Sequence, residues 1–162
     1  MKAVEITTKI INAANTLNID KWDYGASFSN DFSVQVDRGE AKQLKASQKQ
    51  VITLRVWNKD NLVGITTTSD LSETGIKKAL EQANIASNFG NKNEFTDFSP
   101  LAKDPIKVKE FDKKNPLGIK KLLDILRQAE SKLLQTHKAI KSIPYNGLSE
   151  SFYERIYANS EG

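Results

Sequence analysis

The spacing of apolar residues changes period several times along the chain, and each change marks an element. Ile6, Ile10, Ala13, Ala14 and Leu17 recur at helical spacing, which predicts an amphipathic helix over residues 3–17. Asn18 and Asp20 break it. Trp22, Tyr24, Ala26 and Phe28 then alternate with polar residues, the period of a half-buried strand. Ser29-Asn30-Asp31 reads as a turn, and Phe32, Val34 and Val36 as the second arm of a hairpin. After Arg38-Gly39-Glu40, a further turn, the stretch Ala41–Gln50 is polar. Only Leu44 and Ala46 would face inward, so it is expected to be an exposed or edge strand.

Val51–Trp57 is the strongest strand, paired with Leu62–Thr68 through Asn58-Lys59-Asp60-Asn61, a run that tolerates turn geometry. A helix follows. Asp70 is expected to cap it, with Glu73 completing a capping box, and Gly90 to stop it. Its inner face would carry Leu71, Gly75, Ala79, Ala83 and Ala86 beside Ile76 and Leu80. Residues 91–115 have no periodicity and contain Pro100 and Pro105, so they read as an extended surface segment. A second long helix is expected after Asn115 and Pro116, with Ile119, Leu122, Leu123, Leu126, Ala129 and Leu133 facing inward. Lys138–Ile143, the turn Tyr145-Asn146-Gly147 and Ser151–Ala158 read as a closing hairpin. The expected fold is α+β: an antiparallel or mixed sheet of hairpin strands with helices packed on it.

Length and composition narrow the class. The 162 residues fit one domain, 1–162. No apolar run approaches the roughly 20 residues that cross a bilayer, and residues 1–17 lack an apolar signal core. The chain has no cysteine, which excludes disulfides and thiolate chemistry and fits a cytoplasmic location. The net charge of +4 is uneven: Lys103–Lys141 holds eleven Lys/Arg against five Asp/Glu. Those lysines are interspersed with acids and lack interleaved aromatics, the pattern of a solvated face rather than a nucleic-acid surface.

The chain is poor in catalytic chemistry. Its one histidine, His137, cannot supply the two-histidine zinc motif; a Ser-His-Asp triad would have to use it, and no Gly-x-Ser-x-Gly elbow is present, so it reads as a residue at a helix C-terminus. Gly39, Gly64, Gly75 and Gly90 are isolated, so no phosphate loop is expected, and Glu150, Glu154 and Glu161 are expected on solvent faces. No catalytic, cofactor or metal residue is assigned. Two features could make contacts. The strand Ala41–Gln50 could accept another strand, or its Lys42, Lys45 and Lys49 could simply guard an edge. Trp57, opposite the Ile52–Leu54–Val56 face, could line a groove or a subunit contact, or pack ordinarily.

Three segments carry a family resemblance. Val36-Asp37-Arg38-Gly39-Glu40, Ile52-Thr53-Leu54-Arg55-Val56 and Gly64-Ile65-Thr66-Thr67-Thr68-Ser69-Asp70-Leu71-Ser72 follow one another as in the N-terminal region of the TldD/PmbA family. Tyr157-Ala158-Asn159-Ser160-Glu161-Gly162 resembles its Asn-Ser-x-Gly signature. Lys49-Gln50-Val51 departs from it, where family members often carry glycines. The Thr-Ser-Asp-Leu-Ser phrase is nearer the PmbA-like, or TldE-like, branch. The resemblance implies an N-terminal domain of an intracellular metalloprotease assembly acting on peptides or unfolded segments. It implies a homologous partner subunit, and a larger C-terminal region, absent here, where one branch carries a zinc motif. The domain would help enclose substrate or form the subunit contact. The alternative is a regulatory module contacting DNA gyrase or nucleic acid.

Overall fold

The structure is a computed structural model that describes residues 2–90, 98–104 and 115–161. Most of the expected surface segment 91–115, and the lysines between 105 and 114, lie outside the described residues. In chain order the elements are α1 (Lys2–Leu17), β1 (Lys21–Asp37), β2 (Glu40–Trp57), β3 (Val63–Thr68), α2 (Glu73–Ser87), a short 3-10 turn (Pro100–Lys103), α3 (Gly118–Thr136) and β4 (Gly147–Asn159). The strands form one antiparallel sheet in the order β3-β2-β1-β4. The fold is α+β, as the alternating pattern requires.

β1 is one strand of 17 residues, so the expected turn at Ser29-Asn30-Asp31 does not exist. The reason is legible afterwards. Trp22, Tyr24, Ala26, Phe28, Phe32, Val34 and Val36 are all even-numbered, so the alternation stays in phase through Asn30, and one pleated strand keeps them on one face. β1 and β2 are joined by a two-residue turn in which Arg38 (φ 52°) and Gly39 (φ 80°) are both left-handed, the turn whose twist matches paired strands. β2 is likewise continuous, merging the stretches expected as Ala41–Gln50 and Val51–Trp57.

The described residues form two compact units. The first takes the chain up to Ser27, the stretch from Gln50 through α2, and the residues from Arg155. Its core is the even face of the sheet: Tyr24, Ile52, Leu54 and Val56, fully buried with Ile10, Ile76 and Leu80. Thr7 of α1 and the Tyr24 hydroxyl share a hydrogen bond of 2.7 Å. β3 pairs with β2 from Ile52↔Thr68 to Trp57↔Val63, which sets Val56 beside Gly64. Gly64 has no side chain because the α2 backbone at Ala83 and Ser87 occupies that space. Ser72, not Asp70, caps α2, accepting from the Gly75 N–H at 3.0 Å, while Asp70 accepts from the Ser72 N–H. Hydrogen bonding to Ser72 holds the Asp70 carboxyl below the usual range. α2 ends at Asn88; Gly90 lies beyond it, where a Cβ would strike the Val63 carbonyl.

The second unit takes Phe28–Lys49 and the stretch ending at Glu154. Its core sets Leu122 and Leu126 of α3 against Val34 and Val36, with Phe32, Ile119, Leu123 and Leu148 at the margin. Burying each such leucine contributes about 1.5–3 kcal/mol. Further along α3 the expected apolar stripe gives way: Ala129 and Leu133 are exposed and Glu130 is buried. Glu130 is satisfied by the hairpin turn, accepting the N–H groups of Arg38 (3.0 Å) and Gly39 (2.7 Å). Arg127 donates to the Gly39 carbonyl at 2.8 Å. The α3 N-terminus is not capped by Asn115. Glu150 of β4 accepts the Leu117 and Gly118 N–H groups, so this carboxylate is not idle on a solvent face. Lys138–Ile143 is not a strand. His137 ends α3, and the chain turns there, with Ala139 donating to His137 Nδ1 and Ile140 to the His137 carbonyl.

Candidate functional site

The outer half of β2 is the unusual part of this sheet. Every residue from Ala41 to Val51 is exposed, on both faces of the strand. Leu44, expected to face inward, is 50% exposed, and Ala46 is exposed as well. Main-chain bonding to β1 holds this half extended, since its side chains bury little. β2 lies inside the sheet order, yet β3 covers only Ile52–Trp57. Among the described residues no strand pairs with the other edge of Glu40–Val51. The expected edge strand is thus half of a longer strand whose remaining half is interior.

Three of the candidate contact residues lie on this half. Lys45 and Lys49 share one face by their even separation, and Lys42 lies on the opposite face. An open cavity of about 530 Å³ sits here, lined by Asp31, Ser33, Lys45, Ser47, Ser149 and Ser151 among others. Asp31 is its only acid. Ser29 and Ser47 donate to its carboxylate at 3.3 and 3.4 Å. Its carboxyl is held below the ordinary range chiefly by the Ser151 hydroxyl; desolvation opposes this, and Ser29, Ser47 and the charge of Lys49 add smaller lowering effects. A carboxyl with a lowered folded pKa adds stability above its unfolded pKa and loses it as pH falls through the folded value. Replacing Ser151 with Ala should therefore move the Asp31 titration up, toward the free carboxyl value near 3.9. An NMR pH titration of the Asp31 carboxyl reads this directly; an unmoved midpoint refutes the assignment.

The fourth candidate, Trp57, lies further along β2, in the other unit. It is half-buried on the sheet face opposite Ile52, Leu54 and Val56. Its ring meets Phe98 edge-on at 5.2 Å, with the Arg55 guanidinium 5.4 Å and the Lys21 ammonium 5.8 Å from its centroid. Its indole Nε1 is buried without a hydrogen-bond partner among the described residues.

The pattern of residues gave no warning of the polar cluster beside Trp57. Asp23 is buried and pairs with Arg55 through both carboxylate oxygens, and Tyr157 donates to it at 3.0 Å. The bond to Asp23 is the main reason the Arg55 pKa is raised. Burial, and then Asp23, push the Tyr157 phenol up. The available signal was an acid between two aromatics, Trp22-Asp23-Tyr24, in a strand beside another carrying one arginine. His137 is exposed at the end of α3, and no group of three or more metal-binding side chains occurs among the described residues.

Residues 25–86 match domain 1 of the PmbA/TldA metallopeptidases. No match was found among curated proteins. The fold is shared with TldE from Thermococcus kodakarensis (TM-score 0.67, 18% identity, 98% of this chain and 35% of that one). It is shared with a candidate modulator of a DNA gyrase from Thermotoga maritima (TM-score 0.65, 16% identity, 98% and 35%). A similarly described protein from Bacteroides thetaiotaomicron aligns with a TM-score of 0.64, 13% identity, and 94% and 36% coverage. The chain spans about a third of the length of these structures. The match over residues 25–86 supports the TldD/PmbA resemblance carried by the motifs, for the first domain of that family, and the shared fold extends the likeness over most of the chain.

Proposed function

We propose that this chain is a non-catalytic N-terminal part of a TldD/PmbA-like cytoplasmic peptidase assembly acting on peptides or unfolded segments. The outer edge of β2 receives an extended segment, from the substrate or from a homologous partner subunit. The observation that carries this reading is a strand exposed on both faces with an edge that no described strand covers. Such an edge binds an extended chain through main-chain hydrogen bonds and so demands little of its sequence, which suits an enzyme of unfolded segments. Zinc, where the assembly uses it, belongs to the C-terminal region or to the partner subunit.

Proline scanning of the edge tests this. Alternate residues of a strand send their N–H groups to opposite sides, so Lys45→Pro and Ala46→Pro remove one outward donor and one donor to β1. The outward variant should keep its melting temperature within about 2 °C, since it breaks no internal bond. In the full-length protein with its partner it should lose peptide cleavage or subunit assembly. If the variant that keeps the fold also keeps both activities, the proposal fails.

A further inference from the structure

The charge pattern of the same edge narrows what it takes. This inference rests on strand addition at β2 and goes one step further, to the chemistry of the added segment. Between Ala41 and Gln50 there are three lysines and no acidic residue, all exposed. Lys45 and Lys49 lie four residues apart on one face, about 13 Å along the strand. Lys42 serves the other face.

We infer that the outer edge of β2 selects extended acidic segments, with carboxylates four residues apart opposite Lys45 and Lys49. Opposite charges directly across a strand pair attract, and like charges repel. The two lysines are not equivalent. Asp31 lies close enough to Lys49 to feel its charge, so part of the Lys49 field is already answered. Lys45 lines the cavity over the inward strands with Ser33 of β1 and Ser149 of β4, and Lys45 is the one of these at the outer edge. Lys45 is therefore the stronger determinant.

The test uses the 162-residue chain and fluorescein-labelled nine-residue peptides of alternating Thr and Val with two Glu four residues apart. Matched peptides carry two Gln or two Lys at those positions. At low salt the Glu peptide should bind about fivefold more tightly than the Gln peptide, and the Lys peptide more weakly than either. The preference should fade by 0.5 M salt, where exposed charges are screened. Lys45→Gln should remove more of it than Lys49→Gln. Equal binding of Glu and Gln peptides overturns the inference while strand addition stands. No binding of any peptide overturns both. Self-association of the Lys45→Gln/Lys49→Gln double variant overturns it in favour of edge protection. Lysine-dependent binding of single-stranded oligo-dT at physiological salt, tighter than the Glu peptide, overturns it in favour of nucleic acid.

Discussion

Gly64→Ala should unfold or badly loosen the first compact unit. A Cβ there would meet backbone atoms of α2, the Ala83 carbonyl and the Ser87 N–H, rather than a flexible side chain that could rotate away. α2 would have to lift from β3, or β3 would have to shear against β2. Either movement disturbs packing around Ile76, Leu80 and Ala83, which are fully or almost fully buried. Ordinary overpacking costs about 1–3 kcal/mol; a backbone clash belongs at or above the upper end. The expected result is a loss of about 3 kcal/mol or more in urea unfolding, and a melting temperature lower by about 6–12 °C. Gly25→Ala is the matched control, since a Cβ there meets nothing within 4 Å. Equal effects of the two substitutions would refute the close-approach account.

Arg55→Met is the second large effect. The Asp23 side chain is only 2% exposed, whereas that of Arg55 is 44% exposed. Removing the guanidinium leaves a buried carboxylate with the Tyr157 hydroxyl as its remaining side-chain donor among the described residues. Breaking a buried pair from one side costs about 3–5 kcal/mol, and the half-exposed arginine puts this case near the lower end. The double variant Asp23→Asn/Arg55→Met should recover much of the loss, because it removes the stranded charge. A single variant within 0.5 kcal/mol of wild type, or a double variant no better than the single, would show that the pair is not coupled in this way.

The elements that could be read correctly from the sequence were those with one uninterrupted period. α1, the pairing of β2 with β3, and the inner face of α2 are visible in the spacing of Ile6, Ile10, Ile52, Leu54, Val56, Ile76 and Leu80. Punctuation misled. Ser29-Asn30-Asp31 has turn composition, yet these residues occupy strand positions because Asp31 accepts from Ser29 and from Ser47 across the hairpin. Turn propensity is weak against a ladder of main-chain hydrogen bonds on both flanks. In α3 the heptad-like spacing pointed to Ala129, while the structure buries Glu130. A carboxylate becomes the favourable choice at that position only once the Arg38 and Gly39 N–H groups are brought to it by a turn about ninety residues away in sequence.

The candidate edge was legible as a polar strand, since neither parity of Ala41–Gln50 carries enough apolar surface to be covered. The sequence by itself therefore determined the fold class, the exposure of this strand and the absence of thiol chemistry, because composition and period act locally. Tertiary structure decided that the strand continues into the sheet interior and that its pairing with β3 stops at Ile52. It also brought Asp31 and the serines around one cavity, and joined Asp23 to Arg55 and Tyr157. These facts depend on register between strands far apart in sequence, and register is set by the geometry of the whole sheet rather than by any one segment.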